Sequence, residues 1–198
     1  MNKNSWEYIR KLPLIKLYAG DIPDDADVIG LSLTKNDDRH IQHDICTSMP
    51  LLDIVDSYQA EDVFEHIQYD KLLFVVDEIY RVLKVGALFR LSMPDYGCGV
   101  LIDRSVKNSA GNIVFDPGGG GNREKPGHLW FPRIDTVQRL LSKSKFTNIK
   151  YLHYYNMDGT FVVRKIDYSK GYVSRTPDFD VRVQDPYRPM SMVIDLIK

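Results

Sequence analysis

The feature that most constrains the fold is a continuous stretch, residues 56–95, in which two short segments flank a long amphipathic one. In the amphipathic segment, 69–84, apolar residues recur at helical spacing, and Gly86 follows its basic last turn as an expected helix end. The flanking segments, 54–60 and 87–93, have the lengths and boundaries of buried strands. A helix between two such strands predicts a βαβ unit with parallel strands and a right-handed crossover.

Length and composition favour one globular domain spanning residues 1–198. Of the 198 residues, 43% are hydrophobic, which is enough for a sizeable core, and the formal net charge of -1 gives no support for a nucleic-acid or membrane surface. Cys46 and Cys98 show neither metal nor disulfide spacing, which favours a reducing, cytoplasmic compartment. Residues 1–11 lack the apolar segment of a signal peptide, and no stretch approaches the roughly 20 apolar residues of a membrane span.

The letters EDVFEHI, followed by EIYRVLKVGALFRLSMPD, resemble the middle of class I S-adenosylmethionine-dependent methyltransferases. The usual family pattern there is roughly E-H-V-L-E-H-I, then E-I-x-R-V-L-K-P-G-G-x-L-x-I-S-x-P-D. Val85 and Ala87 replace the family's proline and second glycine, both at turn positions. The resemblance implies an α/β, Rossmann-like methyltransferase domain: a mostly parallel seven-stranded sheet, an antiparallel last strand and helices on both faces. It also implies S-adenosyl-L-methionine as the cofactor.

The first predicted strand, 14–19 (LIKLYA), precedes the place where the family has a glycine-rich turn, L-x-L-G-x-G, around the methionine part of the cofactor. The resemblance therefore assigns Ala19 and Gly20 to the cofactor, although Ile22 stands where the second glycine would be. On its own, Gly20 indicates only a turn that ends a strand. Together with the downstream match, it indicates a shortened cofactor loop.

The next two predicted strands, 27–33 and 40–45, carry three further cofactor residues implied by the resemblance. Ser32 stands at the place of the family's ribose-binding acid, where its hydroxyl can make one hydrogen bond. Asp44 and Ile45 match the acid and the apolar residue that lie beside the adenine. Asp44 is equally well interpreted as a turn residue.

Directly after the fourth predicted strand, the resemblance makes Ala60 and Glu61 cofactor neighbours and puts Asp62 near the transferred methyl group. In an open parallel sheet, ligands bind beyond the carboxyl ends of the strands. Asp62 is a candidate general base for a hydroxyl, or else an acid favoured by a helix N-terminus. Glu65 and His66 are interpreted as structural residues of the turn.

Beyond the fifth predicted strand, Asp95 is interpreted either as a turn residue or as a substrate contact on the same edge as Asp62. Segment 96–128 is long, poor in periodicity and contains four consecutive glycines, which predicts a flexible lid. His128 ends this segment. A histidine is the commonest base near neutral pH, so we favour it as a second candidate base over a residue that merely anchors the loop.

The C-terminal part carries Arg175, Asp178, Asp180 and Arg182, whose charges alternate in sign. This pattern predicts a salt-bridged surface loop, with acceptor binding by Arg175 or Arg182 as the alternative. The ending also resembles small methyltransferases found with glycan-assembly enzymes.

That resemblance implies O-methylation of a sugar hydroxyl, for example on a deoxysugar such as rhamnose in a surface glycan. Tyr96, Trp130 and Phe131 are predicted to stack on the sugar, and no spacing of Asp62 and Asp95 demands a metal, so no metal is predicted. Two alternatives remain. One is a methyltransferase for a small metabolite or a protein side chain. The other is an inactive binding or scaffold protein that kept the fold but lost the cofactor site.

Overall fold

A central β-sheet organises the chain in the computed structural model, which describes residues 5–24 and 26–198. Residues 1–4, part of the segment predicted not to be a signal peptide, lie outside the described residues. In chain order the strands are Lys16–Ala19 (β1), Ile29–Ser32 (β2), His40–Gln42 (β3), Val55–Glu61 (β4), Leu83–Pro94 (β5), Val106–Lys107 (β6), Ile113–Phe115 (β7), Asn148–Tyr155 (β8), Phe161–Val163 (β9) and Ser191–Ile197 (β10). The α-helices are Trp6–Ile9 (α1), Leu72–Val82 (α2), Gly99–Arg104 (α3) and Ile134–Leu141 (α4).

Eight of the strands form one sheet in the order β3-β2-β1-β4-β5-β10-β8-β9. Strands β1 to β5 pair in parallel, and β10 lies antiparallel between β5 and β8. The predicted Rossmann-like fold and the antiparallel last strand are therefore confirmed. The sheet has eight strands instead of seven because β9 returns from β8 as an antiparallel partner at the edge.

The central βαβ unit forms as predicted, but its helix ends earlier. Helix α2 stops at Val82, since Leu83 is already extended and pairs with Val55. Gly86, with φ +80°, lies inside β5 and does not cap the helix. Its N–H donates to the carbonyl of Lys198. Gly86 therefore lies in the part of β5 where the pairing with β4 is irregular.

The two faces of the sheet differ in character. On one face, Tyr58 and Phe89 pack edge to face, with Phe64 and Phe146 against Phe89. Helices α2 and α4 bury their apolar residues in the same core. Aromatic contacts of this kind add about 0.5–1.5 kcal/mol each beyond the burial of apolar area. This face contains the main core of the domain.

Because side chains alternate along a strand, the opposite face carries a polar row. Its members are Lys16, Tyr18, Ser57, Gln59, Glu61, Arg90 and Asp195. The C-terminal chain covers this row: the Gln59 amide donates to the carbonyl of Tyr172, and Ser174 donates to Glu61. In the described chain, the helical pieces of this covering segment are two short 3-10 turns, Tyr168–Lys170 and Val181–Val183.

Segment 96–128, predicted to be irregular, is well structured. It forms α3, the β6–β7 hairpin and a 3-10 turn at Pro117–Gly119. Asp116 holds it together, since the Tyr96 hydroxyl and the Arg104 guanidinium both donate to Oδ2, at 2.6 and 2.7 Å. Among the described residues, no helix is long and apolar enough to cross a membrane.

Candidate functional site

Two adjoining cavities open at the carboxyl ends of β1, β2 and β4, where a parallel sheet binds its ligands. The first, of about 460 Å³, is lined mostly by apolar groups and is called the apolar cavity. The second, of about 510 Å³, is called the polar cavity because charged residues line much of it. Gly20, Asp21 and His66 border both cavities. The two spaces can therefore serve one site.

The turn after β1 depends on Gly20. Its φ is +126°, and a Cβ there would lie 2.4 Å from the carbonyl oxygen of Glu61. The end of β1 therefore approaches the end of β4 more closely than a side chain permits. Gly20 borders both cavities, so this turn is part of the wall that they share.

Replacing Gly20 with alanine is expected to lower the free energy of unfolding by about 1–3 kcal/mol, because the backbone is strained and the Cβ meets a backbone atom. Chemical denaturation of the natural chain and of the Gly20→Ala variant measures this loss of stability. Gly159→Ala is the matched control, since Gly159 has φ +86° but, apart from its chain neighbours, no described residue has an atom within 4 Å of its Cβ position. Equal losses in the two variants would show that the contact with Glu61 relaxes and does not define the turn.

The apolar cavity brings together the predicted residues from the first three strands: Ala19, Gly20, Ser32, Asp44 and Ile45 all line it. Two of them also form local turns. The Ser32 hydroxyl oxygen accepts the N–H of Lys35 at 3.0 Å, and Asp44 Oδ1 accepts the N–H of Cys46 at 2.9 Å. The turn interpretation of Asp44 is thus realised, and it is compatible with a position in the cavity wall.

The two predicted residues at the end of β4 differ in position. Ala60 is fully buried in the core and borders neither cavity. Glu61 lines the polar cavity, but both of its carboxylate oxygens are engaged. The Tyr18 hydroxyl donates to Oε2 at 2.7 Å, and the N–H and hydroxyl of Ser174 both donate to Oε1 at 2.7 Å. Glu61 therefore ties the C-terminal segment to the sheet.

Asp62, the residue after Glu61, also lines the polar cavity. Its Oδ2 lies 3.1 Å from Nη2 of Arg175, whereas Oδ1 is buried and has no hydrogen-bond partner within residues 5–24 and 26–198. Burial raises the pKa of Asp62 to about 6, Arg175 opposes the rise, and Glu61 adds to it. The backbone of Asp62 has φ +53°, in the left-handed region, which aspartate tolerates better than most residues.

Asp95 lies outside the lining of both cavities, and the predicted substrate contact is not what its geometry supports. It is fully buried, and its oxygens accept the N–H groups of Gly97 and Tyr155 at 2.8 and 2.7 Å. A carboxylate with both oxygens bonded to backbone amides anchors a loop. The turn-residue interpretation of Asp95 therefore fits the structure.

His128 is also absent from both cavity linings. It is 4% exposed, with Nδ1 2.5 Å from the Tyr96 hydroxyl and Nε2 directed toward Glu65. Burial lowers its pKa to about 4. The segment before it folds as its own small unit and turns this histidine inward, away from both cavities. These contacts fit the alternative that His128 anchors the loop.

The C-terminal segment adds Tyr172, Ser174 and Arg175 to the lining of the polar cavity, and of these only Arg175 was predicted, as an alternative acceptor contact. No local pattern marks Tyr172 or Ser174, because their place depends on contacts with β4 far away in the sequence. Of the charge-alternating residues, Arg182 pairs with Asp180 as predicted.

The aromatic residues predicted to stack on a sugar do not line the polar cavity. Tyr96 is buried against Phe131, and the Trp130 indole packs on Tyr69. The segment predicted as a lid, 96–128, contributes no residue to either cavity lining. The residues that cover the polar cavity come from the C-terminal segment.

Comparison with known proteins gives matches at the level of structure. No protein-family model matches the chain, and no curated protein matches its sequence. A possible histamine N-methyltransferase from Thermotoga maritima superposes with a TM-score of 0.56 at 12% identity, covering 96% of this chain and 84% of that one. An S-adenosylmethionine-dependent methyltransferase from Archaeoglobus fulgidus gives 0.54 at 13% identity, with 94% and 87% covered.

A third structure is phosphoethanolamine N-methyltransferase 2 from Haemonchus contortus in complex with S-adenosyl-L-methionine. Its TM-score is 0.52 at 12% identity, and the match covers 93% of this chain but 49% of that one. At such identities these likenesses show a shared fold, the single-domain, Rossmann-like methyltransferase fold, and no more.

Proposed function

We propose that this protein is an S-adenosylmethionine-dependent O-methyltransferase that acts on a sugar hydroxyl. One observation carries the proposal. Five residues that the family resemblance assigns to the cofactor, listed above for the first three strands, line a single cavity at the switch point of a methyltransferase-like sheet. Asp62, a carboxylate whose pKa is raised by burial, lines the neighbouring polar cavity.

The apolar cavity has the size and character expected for the cofactor. Its volume of about 460 Å³ lies within the usual range of roughly 300–1,000 Å³ for small-molecule sites. Leu31 and Ile45 offer apolar contacts suited to an adenine ring. Ser32 accepts backbone N–H groups, so its own hydroxyl hydrogen is available to a ribose oxygen.

The departure at Ile22 from the family's second glycine does not fill this space. The Ile22 side chain packs over Gly30, since a Cβ on Gly30 would lie 2.4 Å from Ile22 Cδ1. Gly30 thus provides room for the larger residue on the opposite side of the turn, and Ile22 is absent from the cavity lining. This packing supports a working cofactor loop despite the shortened motif.

When bound, the cofactor supplies a methyl group that is already activated on a sulfonium centre. The protein then has to position the acceptor hydroxyl and remove its proton. The Asp62 carboxylate, which lines the polar cavity, is suited to accept that proton. Its Oδ2 contacts Arg175, which holds the side chain in place at the cavity edge.

A polyhydroxylated acceptor fits the polar cavity because Ser174, Arg175 and Asp21 offer hydrogen bonds while Tyr172 offers an aromatic face. A deoxysugar such as rhamnose matches both parts of this lining. Its hydroxyls can bind the polar groups, and its apolar face can stack on the Tyr172 ring. We therefore rank glycosides of deoxysugars first among acceptors.

Calorimetric titration with S-adenosylhomocysteine tests the cofactor part. We expect micromolar binding that is lost in Ser32→Phe, because the larger side chain enters the apolar cavity. Ser142→Phe, at an exposed position after α4, is the control and should bind like the natural chain. No binding at millimolar ligand by a folded sample would overturn the proposal and leave a non-enzymatic protein on this fold.

Mass spectrometry then tests the acceptor. A panel of p-nitrophenyl glycosides that includes rhamnosides is incubated with S-adenosylmethionine and searched for a gain of one methyl group. We expect methylation of at least one deoxysugar glycoside. The protein could instead bind the cofactor but methylate only small amines, phenols or protein side chains. That result would overturn the sugar assignment and leave the assignment as a methyltransferase intact.

A further inference from the structure

A cluster of three side chains, Glu65, His66 and His128, lies beside the cavities and has no part in the proposed reaction. Glu65 and His66 belong to a 3-10 turn, Phe64–His66, that follows β4. His128 reaches them because the chain after it docks on this turn: the Leu129 N–H donates to the Glu65 carbonyl at 2.7 Å. We propose that these three residues hold a divalent transition-metal ion.

The first argument is the state of Glu65. This side chain is fully buried, and neither carboxylate oxygen has a hydrogen-bond partner among the residues that the structure describes. Burying an isolated carboxylate is costly, so buried acids are ordinarily paired or bind metals. The nearest polar atoms are Nε2 of His128, 3.7 Å from Oε1, and Nε2 of His66, 3.9 Å from the same oxygen. A cation among these atoms satisfies the carboxylate.

The second argument is that both histidines present a lone pair toward Glu65. His66 Nδ1 lies 2.9 Å from the Gly127 carbonyl oxygen, which can only accept, so the proton is on Nδ1 and Nε2 is free. His128 Nδ1 contacts the Tyr96 hydroxyl at 2.5 Å. Tyr96 donates its own hydrogen to Asp116, so it must accept from His128 Nδ1. Partners of this kind on the outer nitrogen are typical of metal-binding histidines.

The third argument is distance. The three ligand atoms lie within 4.8 Å of one another. Ligands bonded to zinc at about 2.0–2.1 Å in tetrahedral geometry lie about 3.4 Å apart, so small side-chain movements close the site. Two imidazoles and one carboxylate favour Zn²⁺ or Fe²⁺ over Mg²⁺ and Ca²⁺, which prefer oxygen ligands.

The position of His66 leaves the metal accessible. Its side chain is 41% exposed and borders both cavities, whereas Glu65 and His128 are buried behind it. A metal held by three protein ligands has an open coordination position for water or another ligand.

The test uses the full-length protein after dialysis against a chelator. Zn²⁺ is titrated in competition with a chromophoric chelator, Co²⁺ is followed by its visible absorption, and thermal unfolding is recorded with and without Zn²⁺. We expect one equivalent to bind, a Co²⁺ spectrum with ligand-field bands, and a rise in the unfolding temperature. Glu65→Gln and His66→Asn should each weaken Zn²⁺ binding by at least about tenfold.

His40→Asn is the matched control because His40 forms another histidine–carboxylate pair, with Nδ1 2.7 Å from Asp37 Oδ1. It should leave the affinity for Zn²⁺ unchanged. Glu65→Gln preserves side-chain shape, and His66→Asn changes a partly exposed residue, so at least one variant tests a folded protein.

Equal Zn²⁺ affinity in the natural chain and in a folded variant would overturn the site, as would the absence of binding at millimolar Zn²⁺. These readouts do not require methyl transfer, so failure of the proposed function and failure of the metal site are separate results.

Discussion

Replacing Arg90 with leucine is expected to lower the free energy of unfolding by about 3–5 kcal/mol, the usual cost of removing one partner of a buried ion pair. Arg90 is fully buried on the polar face of the sheet. Its Nε and Nη2 donate to the two oxygens of Asp195 at 2.8 Å each. Its Nη1 donates to the carbonyls of Asp167 and Gly171 at 2.9 and 2.6 Å. The leucine variant leaves these acceptors unpaired.

Urea denaturation followed by circular dichroism measures the loss. Arg139→Leu is the control, because Arg139 pairs with Asp135 at 3.8 Å on the surface, where such a pair contributes at most about 1 kcal/mol. Combining Arg90→Leu with Asp195→Leu should recover much of the loss, since both charges are then gone. A loss for Arg90→Leu as small as that for Arg139→Leu would contradict the inferred role of the buried pair.

Arg90→Leu should also affect the polar cavity of the candidate site. Arg90 binds the carbonyl of Gly171, and the next residue, Tyr172, borders the polar cavity. Glu61 provides a second attachment through Ser174. The covering segment is therefore fastened to the sheet by charged groups, and losing the Arg90 contacts should increase hydrogen exchange in 167–175 more than in α2.

The sequence predicted those parts of the fold that follow from local periodicity. The helical spacing in 69–84 and the strand at 87–93 predicted the βαβ unit, because one helix face and two buried strands leave a direct pattern in the chain. The turn at Gly20 could also be predicted from the local sequence, because a turn that needs a positive φ favours glycine. The strand-end positions of Ser32, Asp44 and Ile45 followed from the order of the strands.

The site residues that the sequence did not predict depend on distant contacts. The Ser174 hydroxyl bonds to Glu61, 113 residues earlier in the chain, and nothing near either residue indicates this. His128 was predicted to reach the open edge, but Asp116 organises the preceding segment and turns the histidine toward Glu65. Such placements arise from tertiary packing, which single-sequence patterns do not encode.

Replacing Asp62 with asparagine is expected to lower kcat by about 10²–10⁴-fold, the usual contribution of a general base. Asparagine has the same shape and tolerates the left-handed backbone at this position, so the fold should persist. Methyl transfer to the best glycoside of the acceptor panel measures the effect. Asp53→Asn is the matched control, since Asp53 also has φ +53° but lies before β4, at the opposite end of that strand.

The pH dependence gives the sharper test of Asp62. A base must be deprotonated to act, and burial raises the pKa of Asp62 to about 6. In the natural chain, kcat/KM should therefore rise between about pH 5 and 7 and then level off. Arg175 lowers this pKa, so Arg175→Gln should move the rising limb to higher pH.

Stability should respond in the opposite sense to activity. Because the pKa of Asp62 is raised from 3.8 to about 6 in the folded protein, its carboxylate destabilises the fold fully above about pH 6, and this penalty declines as the pH falls from about 6 to about 4. Asp62→Asn removes the penalty at pH 7 as well, so the variant should be at least as stable as the natural chain while losing activity. A variant that loses activity only in proportion to a loss of folded protein would contradict the assignment of Asp62 as the base.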